Sequence, residues 1–337
     1  MKAIGYFHPL SIDHPDALLD IELPAPTIGP RDLLVRVHAV SVNPVDTKIR
    51  RGVTPEAGQA KVLGWDAVGV VEAVGQHVQH YGPGDRVYYA GSIARTGTNA
   101  ELHAVDERIV GRAPVRLDDG QAAALPLTAI TAWELLFERL GIREGGGAGE
   151  RLLIVGGAGG VGSMLIQLAR QLTQLEVIAT ASRPETREWC LDLGAHAVID
   201  HTRPLAGELA AAGRAPVHYV ASLTQTDQHY EQIIECLRPQ GRLGLIDDPA
   251  VPLDVMKLKR KSISMHWELM FTRSLFETED IDQQRLLLNR VADLVDERRL
   301  RTTLAEHLGT VNASNLRRAH ALVESGKVRG KVVLEGF

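Results

Sequence analysis

Residues 152–169 read LLIVGGAGGVGSMLIQLA, eighteen positions without a charge. A membrane span needs about 20 mainly apolar residues, and the five glycines, one serine and one glutamine here argue against one. A strand at LLIV (152–155), a glycine loop and a helix is the better reading. Gly157, Gly159 and Gly162 then form G-x-G-x-x-G between a strand and a helix, the setting in which this motif cradles a dinucleotide pyrophosphate. Gly157 is expected to make the tight turn, Gly159 to let the backbone approach the pyrophosphate, and Gly162 to bring helix and strand together. Gly160 and Val161 join this cofactor-binding set, at a helix N-terminus facing the anion.

Which dinucleotide is read from the second strand. A site for NAD places an acid about 20 residues past the loop, on the ribose 2′-hydroxyl. Twenty past Gly162 is Ser182, followed by Arg183, with Arg187 one turn along, and neither Asp nor Glu ends the strand. A hydroxyl and guanidinium groups suit a 2′-phosphate, so the cofactor expected is NADPH. Further apolar strands follow at 176–181, 197–200, 217–222, 241–247 and 262–267, with helical stretches between most of them. This alternation predicts a doubly wound parallel sheet. Ser222 and Asp247 end two of the strands, at the carboxyl edge where ligands bind such sheets.

The first 110 residues differ. LLVRVHAVSV (33–42) and VGVVEAVG (68–75) are rich in valine and punctuated by turns such as YGPGDRV (81–87), which predicts a small barrel or sheet. AAALPLTAITAWELLFERLG (122–141) has helical spacing and ends in glycine. The terminal GKVRGKVVLEGF reads as a turn and a strand, and that strand needs a partner sheet. A chain of 337 residues suits about two domains. The boundaries expected are 1–126 with 268–337 for a discontinuous β domain and 127–267 for the dinucleotide domain.

Composition narrows the partners. A net charge of −5, with no evident Lys/Arg stripe, weighs against nucleic acid or an anionic membrane surface. The start of the chain shows no apolar signal region, and two cysteines, Cys190 and Cys236, build no disulfide framework, so a cytoplasmic location is expected. Nor do they supply the three or four ligands that zinc sites take. His77 and His80, the one close histidine pair, read as a surface turn. No metal site is expected.

SVNPVDTKIRRG, VLGWDAVGVVEAVG with GDRVYYAG, and AAALPLTAITAWELL before GAGGVGSMLIQLAR carry a resemblance. With them the chain resembles the medium-chain dehydrogenase/reductase superfamily over essentially its whole length. GTNAELHAVDERIVG and HWELMFTRSLFET look similar to a subset labelled zinc-type alcohol dehydrogenase-like. The resemblance implies an α/β fold, a GroES-like β-barrel catalytic domain plus a six-stranded doubly wound Rossmann domain, in a homodimer. Against the zinc-dependent members, Asn43 stands for the ligand cysteine and Trp65-Asp66 for a His-Glu pair, so the match is to the zinc-free quinone oxidoreductase-like branch.

By carry-over, Asn43 is expected near the nicotinamide ribose and Thr128 beside the nicotinamide. Where some relatives have tyrosines this chain has Lys48 and Thr54, so Lys48 is the candidate for stabilising an oxyanion. Asp46 reads as a cap within its own loop, and Trp65 as a cleft or core residue. Arg273 and Arg329 are lesser candidates, Arg329 for the cofactor phosphates. Without a metal to hold an alkoxide, the acceptor expected is a quinone or an α,β-unsaturated carbonyl, whose charge spreads onto oxygen. The alternatives are a carbonyl or alcohol dehydrogenase, and a non-catalytic structural (crystallin-like) or RNA-binding protein.

Overall fold

The computed structural model describes all 337 residues, which divide into two compact units. The first comprises Met1–Ile130 and Phe271–Phe337. Its smaller sheet pairs β1 (Lys2–Tyr6) with β2 (Leu19–Glu22) on one side and β4 (Lys61–Val62) on the other, all antiparallel. Its larger sheet centres on β3 (Asp32–Val42), which pairs along one edge with β5 (Ala67–Val74). The other edge of β3 is shared. Asp32–Arg36 pairs with β7 (Leu102–Asp106), and Ala39–Val42 with β16 (Lys331–Glu335), both antiparallel. The chain terminus therefore finds its partner in the N-terminal β region. β6 (Arg86–Tyr89), β8 (Val110–Arg112) and β15 (Leu304–His307) complete seven strands.

Five helices accompany these sheets: α1 (Pro44–Gly52), α2 (Asp119–Ala123), α8 (Thr272–Phe276), α9 (Gln283–Asp296) and α10 (Ala313–Glu324). α3 (Pro126–Trp133) spans the point where the chain passes from the first unit to the second. The continuous pattern at 122–141 is broken in the structure. Pro126 has no N–H to give a preceding turn and disfavours helix at Leu125, so α2 and α3 are separate. α3 then passes into a π-helical turn, Glu134–Arg139, and ends at Gly141 with φ +64°.

The second unit, Thr131–Met270, is built on six parallel strands: β9 (Arg151–Val155), β10 (Glu176–Thr180), β11 (Ala197–Ile199), β12 (Val217–Ser222), β13 (Leu237–Leu245) and β14 (Ser264–Trp267). Their spatial order is β11-β10-β9-β12-β13-β14, every neighbouring pair parallel. α4 (Gly160–Leu172), α5 (Pro184–Asp192), α6 (Leu205–Ala211) and α7 (Thr226–Cys236) make the connections. Strands covered on both faces read as apolar runs, and Leu152, Leu153, Ile154 and Val155 are all buried. The order reverses between β9 and β12, and ligands bind such sheets beyond the strand ends at that point. No helix is long and apolar enough to cross a membrane.

Candidate functional site

The glycine loop leaves β9 at that switch point. Gly156 takes φ +87°, a conformation open to glycine at little cost, and its N–H donates to Thr180 Oγ1 at 3.0 Å. The left-handed turn therefore lies at Gly156, one residue before Gly157, where it was expected. Gly157 serves close packing: a Cβ there would stand 2.7 Å from Ala179 Cβ and 3.2 Å from Cys190 Sγ. At Gly162 a Cβ would come within 2.4 Å of the Gly156 carbonyl, so only glycine lets α4 lie this near the loop. Gly159 is different. The nearest atom to a Cβ there is the Gly156 oxygen at 3.6 Å, and Gly159, Gly160 and Val161 are partly exposed at the start of α4. The first backbone N–H groups of a helix have no partner within it, so this turn offers donors and dipole to an anion.

Beyond β10, Ser182 and Arg183 are both partly exposed, and Arg183 precedes α5 as its N-terminal boundary residue. Its Nε lies 3.2 Å from Glu185 Oε1. Arg187 departs from expectation. Its guanidinium donates to the carbonyls of Ala181 (3.2 Å) and Val198 (2.8 Å), bracing the ends of β10 and β11 where a phosphate ligand was expected. Ser222 is fully buried and shares a hydrogen bond of 2.8 Å with Thr226 Oγ1. Asp247 accepts from the Thr226 N–H at 2.9 Å and from its hydroxyl. Ser222 ends β12 as expected, whereas Asp247 lies two residues past the end of β13 at Leu245, and the polar atoms of both hold the start of α7. Thr226 itself carried no sequence signal.

In the first unit, Asn43, Asp46, Asp66 and Lys331 form one buried network. Asp46 accepts from the Asn43 N–H (2.8 Å) and the Gly64 N–H (2.9 Å), which makes it a cap for α1. Burial pushes its carboxyl up to about 7, against those two donors and Lys331, and with Asp66 adding to the rise. Asn43 Nδ2 donates to Asp66 Oδ2 at 2.8 Å, and Lys331 Nζ donates to Asn43 Oδ1 (2.6 Å), Asp66 Oδ2 (2.8 Å) and the Val42 carbonyl (3.3 Å). Asp66 Oδ1 accepts from the Leu127 N–H at 2.7 Å. Burial raises the Asp66 carboxyl, and the Lys331 ammonium opposes that rise.

The amide of Asn43 is thus bonded through both of its polar atoms, and the residue is 1 % exposed. Thr128, also buried, donates to the Leu125 carbonyl at 3.0 Å. Lys48 is exposed on α1, and Arg329 is exposed in the turn before β16. Arg273 is buried against Asp280 at 2.7 Å, which gives it a structural partner. Trp65 is a core residue: its indole donates to the Ser92 carbonyl at 3.1 Å, and its ring meets Phe271 edge-on.

Lys331 and Glu268 escaped the sequence reading, and Asp66 entered it only as a replacement for a zinc-branch residue. Lys331 stands alone among the apolar residues of KVVL, and Asp66 interrupts the run LGWDAVGVV. A charge inside an apolar strand is rare unless paired, and that was the available signal. Glu268, just past β14, is buried with Arg139 Nε 2.8 Å away. Burial first, and the Glu134 carboxyl second, push Glu268 up to about 9.

A parallel sheet with its glycine turn at the switch point defines a dinucleotide-binding protein by fold and site. Comparison with known proteins narrows this. Residues 29–125 match the model of an alcohol dehydrogenase GroES-like domain, and residues 193–334 that of a zinc-binding dehydrogenase. A zinc-type alcohol dehydrogenase-like protein of Staphylococcus aureus is 37 % identical over 99 % of both chains. A quinone oxidoreductase of Pseudomonas aeruginosa is 29 % identical over 91 % of both. A crystal structure from Rhizobium etli CFN 42, described provisionally as a zinc-dependent alcohol dehydrogenase, superposes with TM-score 0.96 at 58 % identity, covering 100 % of this chain and 98 % of that one. The chain belongs to the medium-chain dehydrogenase/reductase superfamily, with the zinc-type alcohol dehydrogenase-like and quinone oxidoreductase proteins.

Zinc, which some of these names imply, does not fit the residues present. The Trp65 indole is a donor without a lone pair to give, Asn43 is held through both amide atoms, and the Lys331 ammonium would repel a cation at Asp66. No group of three or more His, Cys, Asp or Glu side chains is placed to hold a metal ion.

Proposed function

We propose that this protein is a zinc-independent oxidoreductase that passes hydride from NADPH to a quinone or an α,β-unsaturated carbonyl. The observation that carries the reading is the network of Asn43, Asp66 and Lys331, which replaces a ligand set with a neutralised cluster. A simple alcohol would need a Lewis acid to hold its alkoxide, whereas a quinone or enone delocalises the arriving charge. Relatives support the acceptor class. Besides the quinone oxidoreductase, a tomato 2-methylene-furan-3-one reductase is 36 % identical over 60 % of this chain and 53 % of its own length.

When bound, the dinucleotide supplies the hydride. The rest of the work belongs to the chain. Gly159, Gly160, Val161 and Gly162 hold the pyrophosphate through backbone N–H groups, and Ser182 with Arg183 takes the 2′-phosphate. On the first unit the candidates that the resemblance supplies are Asn43 and Thr128, and the exposed Lys48 is the candidate to offer positive charge to the developing oxyanion. Arg187, Ser222 and Asp247 act one step back, holding the strand ends and α7 in place.

A homodimer in the cytoplasm is part of the proposal. β14 pairs only with β13, leaving one edge of the sheet open, and Trp267 and Leu269 are exposed in or just past that strand, with exposed Val251 and Val255 beside Trp267. An apolar open edge is a surface for a second copy. The test of function is oxidation of NADPH and NADH with an ortho-quinone and a trans-2-enone as acceptors. Turnover preferring NADPH supports the proposal. Tight NADPH binding without turnover on either acceptor would refute it in favour of a non-catalytic role.

A further inference from the structure

Four segments distant in sequence meet at the Asp66 carboxylate, which has no exposed surface. Lys331 brings β16, Asn43 brings the start of α1, Leu127 brings the first turn of α3, and Asp66 itself opens β5. The bonding is complete. The three protons of the ammonium have three acceptors, and each oxygen of Asp66 has at least one donor. Such a pair is a poor device for stability, because desolvating both charges offsets their attraction, and well-packed apolar residues often serve as well or better.

What the cluster does supply is geometry. The ammonium on Oδ1 and the carboxylate on Nδ2 allow the Asn43 amide only one of its two flips. The Leu127 N–H bond fixes the residue directly before Thr128. We propose that Lys331 is a positioning residue of the reductase: directly and through Asp66 it sets the Asn43 amide, and through Asp66 the first turn of α3, and with them Asn43 and Thr128. The assignment rests on the proposed function for placing Asn43 and Thr128 at the reacting end of the site. The geometric part stands without it.

Lys331→Met alone strands a buried carboxylate, so it is expected to lower stability and cannot separate the roles. Lys331→Met combined with Asp66→Asn removes both charges, and the amide oxygen that replaces the carboxylate can still accept from the Leu127 N–H. The double variant is expected to fold, with its melting temperature within a few degrees of wild type and NADPH affinity within twofold. Its kcat with an ortho-quinone should fall at least tenfold, and hydrogen exchange at the Leu127 amide should quicken by a similar factor, because its acceptor is then neutral and no longer anchored by the ammonium. Wild-type kcat in a folded double variant would overturn the proposal. So would failure of both this variant and Asp66→Asn to fold, which would make the cluster a stability element. Should wild type itself turn over neither acceptor, the functional reading fails, and the Leu127 exchange rate alone decides the positioning claim.

Discussion

The proposed preference for NADPH falls mainly on Arg183, because Arg187 donates to the carbonyls of Ala181 and Val198. Arg183 shares its charge with Glu185 across an exposed pair at 3.2 Å. Exposed pairs contribute little to stability, so under the proposed function the pair matters for recognition, because the Glu185 carboxylate would repel a phosphate held by Arg183. Arg183→Ala is expected to raise the NADPH Michaelis constant roughly tenfold and leave NADH nearly unchanged, on the scale of one charge-assisted hydrogen bond. Glu185→Gln should move the NADPH/NADH preference the opposite way by a few-fold, read by titrating both dinucleotides. The glycines make a second pair of predictions. Gly162→Ala forces its new Cβ against the backbone of Gly156 and Gly157, and is expected to cost about 1–3 kcal/mol, the range of overpacking, and to abolish dinucleotide binding. Gly159→Ala meets nothing closer than 3.6 Å, so thermal unfolding should be unchanged while NADPH affinity drops.

At the scale of elements, the strands and the glycine loop were legible because their signals are local: apolar runs, a motif and turn residues. The broken helix at 122–141 was not. Its apolar spacing runs through Pro126, and the π turn over Glu134–Arg139 leaves no mark on composition. The turn glycine was placed one residue late because a spacing pattern does not report φ, and Gly156 and Gly157 are identical neighbours. Asp66 and Lys331 are 265 positions apart, so one sequence could show two odd charges in apolar strands but not that they meet. The π turn also carries a pH-sensitive contact. Glu268 faces Glu134, Glu138 and Arg139, and burial with Glu134 outweighs the pull of Arg139. A carboxyl with a raised folded value binds an extra proton in the native state. Stability is therefore expected to fall as pH rises from about 4.5 through about 9. Melting temperatures between pH 6 and 9 test this: Glu268→Gln should show a flatter decline than wild type, and parallel curves would rule out the contribution.

At the scale of the molecule, the alternation of strand and helix after residue 150 was enough to expect a doubly wound sheet, and the terminal strand was enough to expect a return to the first sheet. Those inferences needed only patterns along the chain. The acceptor and the assembly depend on which side chains and surfaces meet, and patterns along the chain carry neither. The central claim is that this member of a family with zinc-dependent branches reduces its acceptor without metal. The most direct test is to strip the purified protein with a strong chelator, measure bound zinc by elemental analysis, and assay NADPH oxidation with an ortho-quinone on the same sample. The account predicts far less than one zinc per chain and undiminished turnover. Stoichiometric zinc, with activity lost on stripping and restored by adding zinc back, would contradict it.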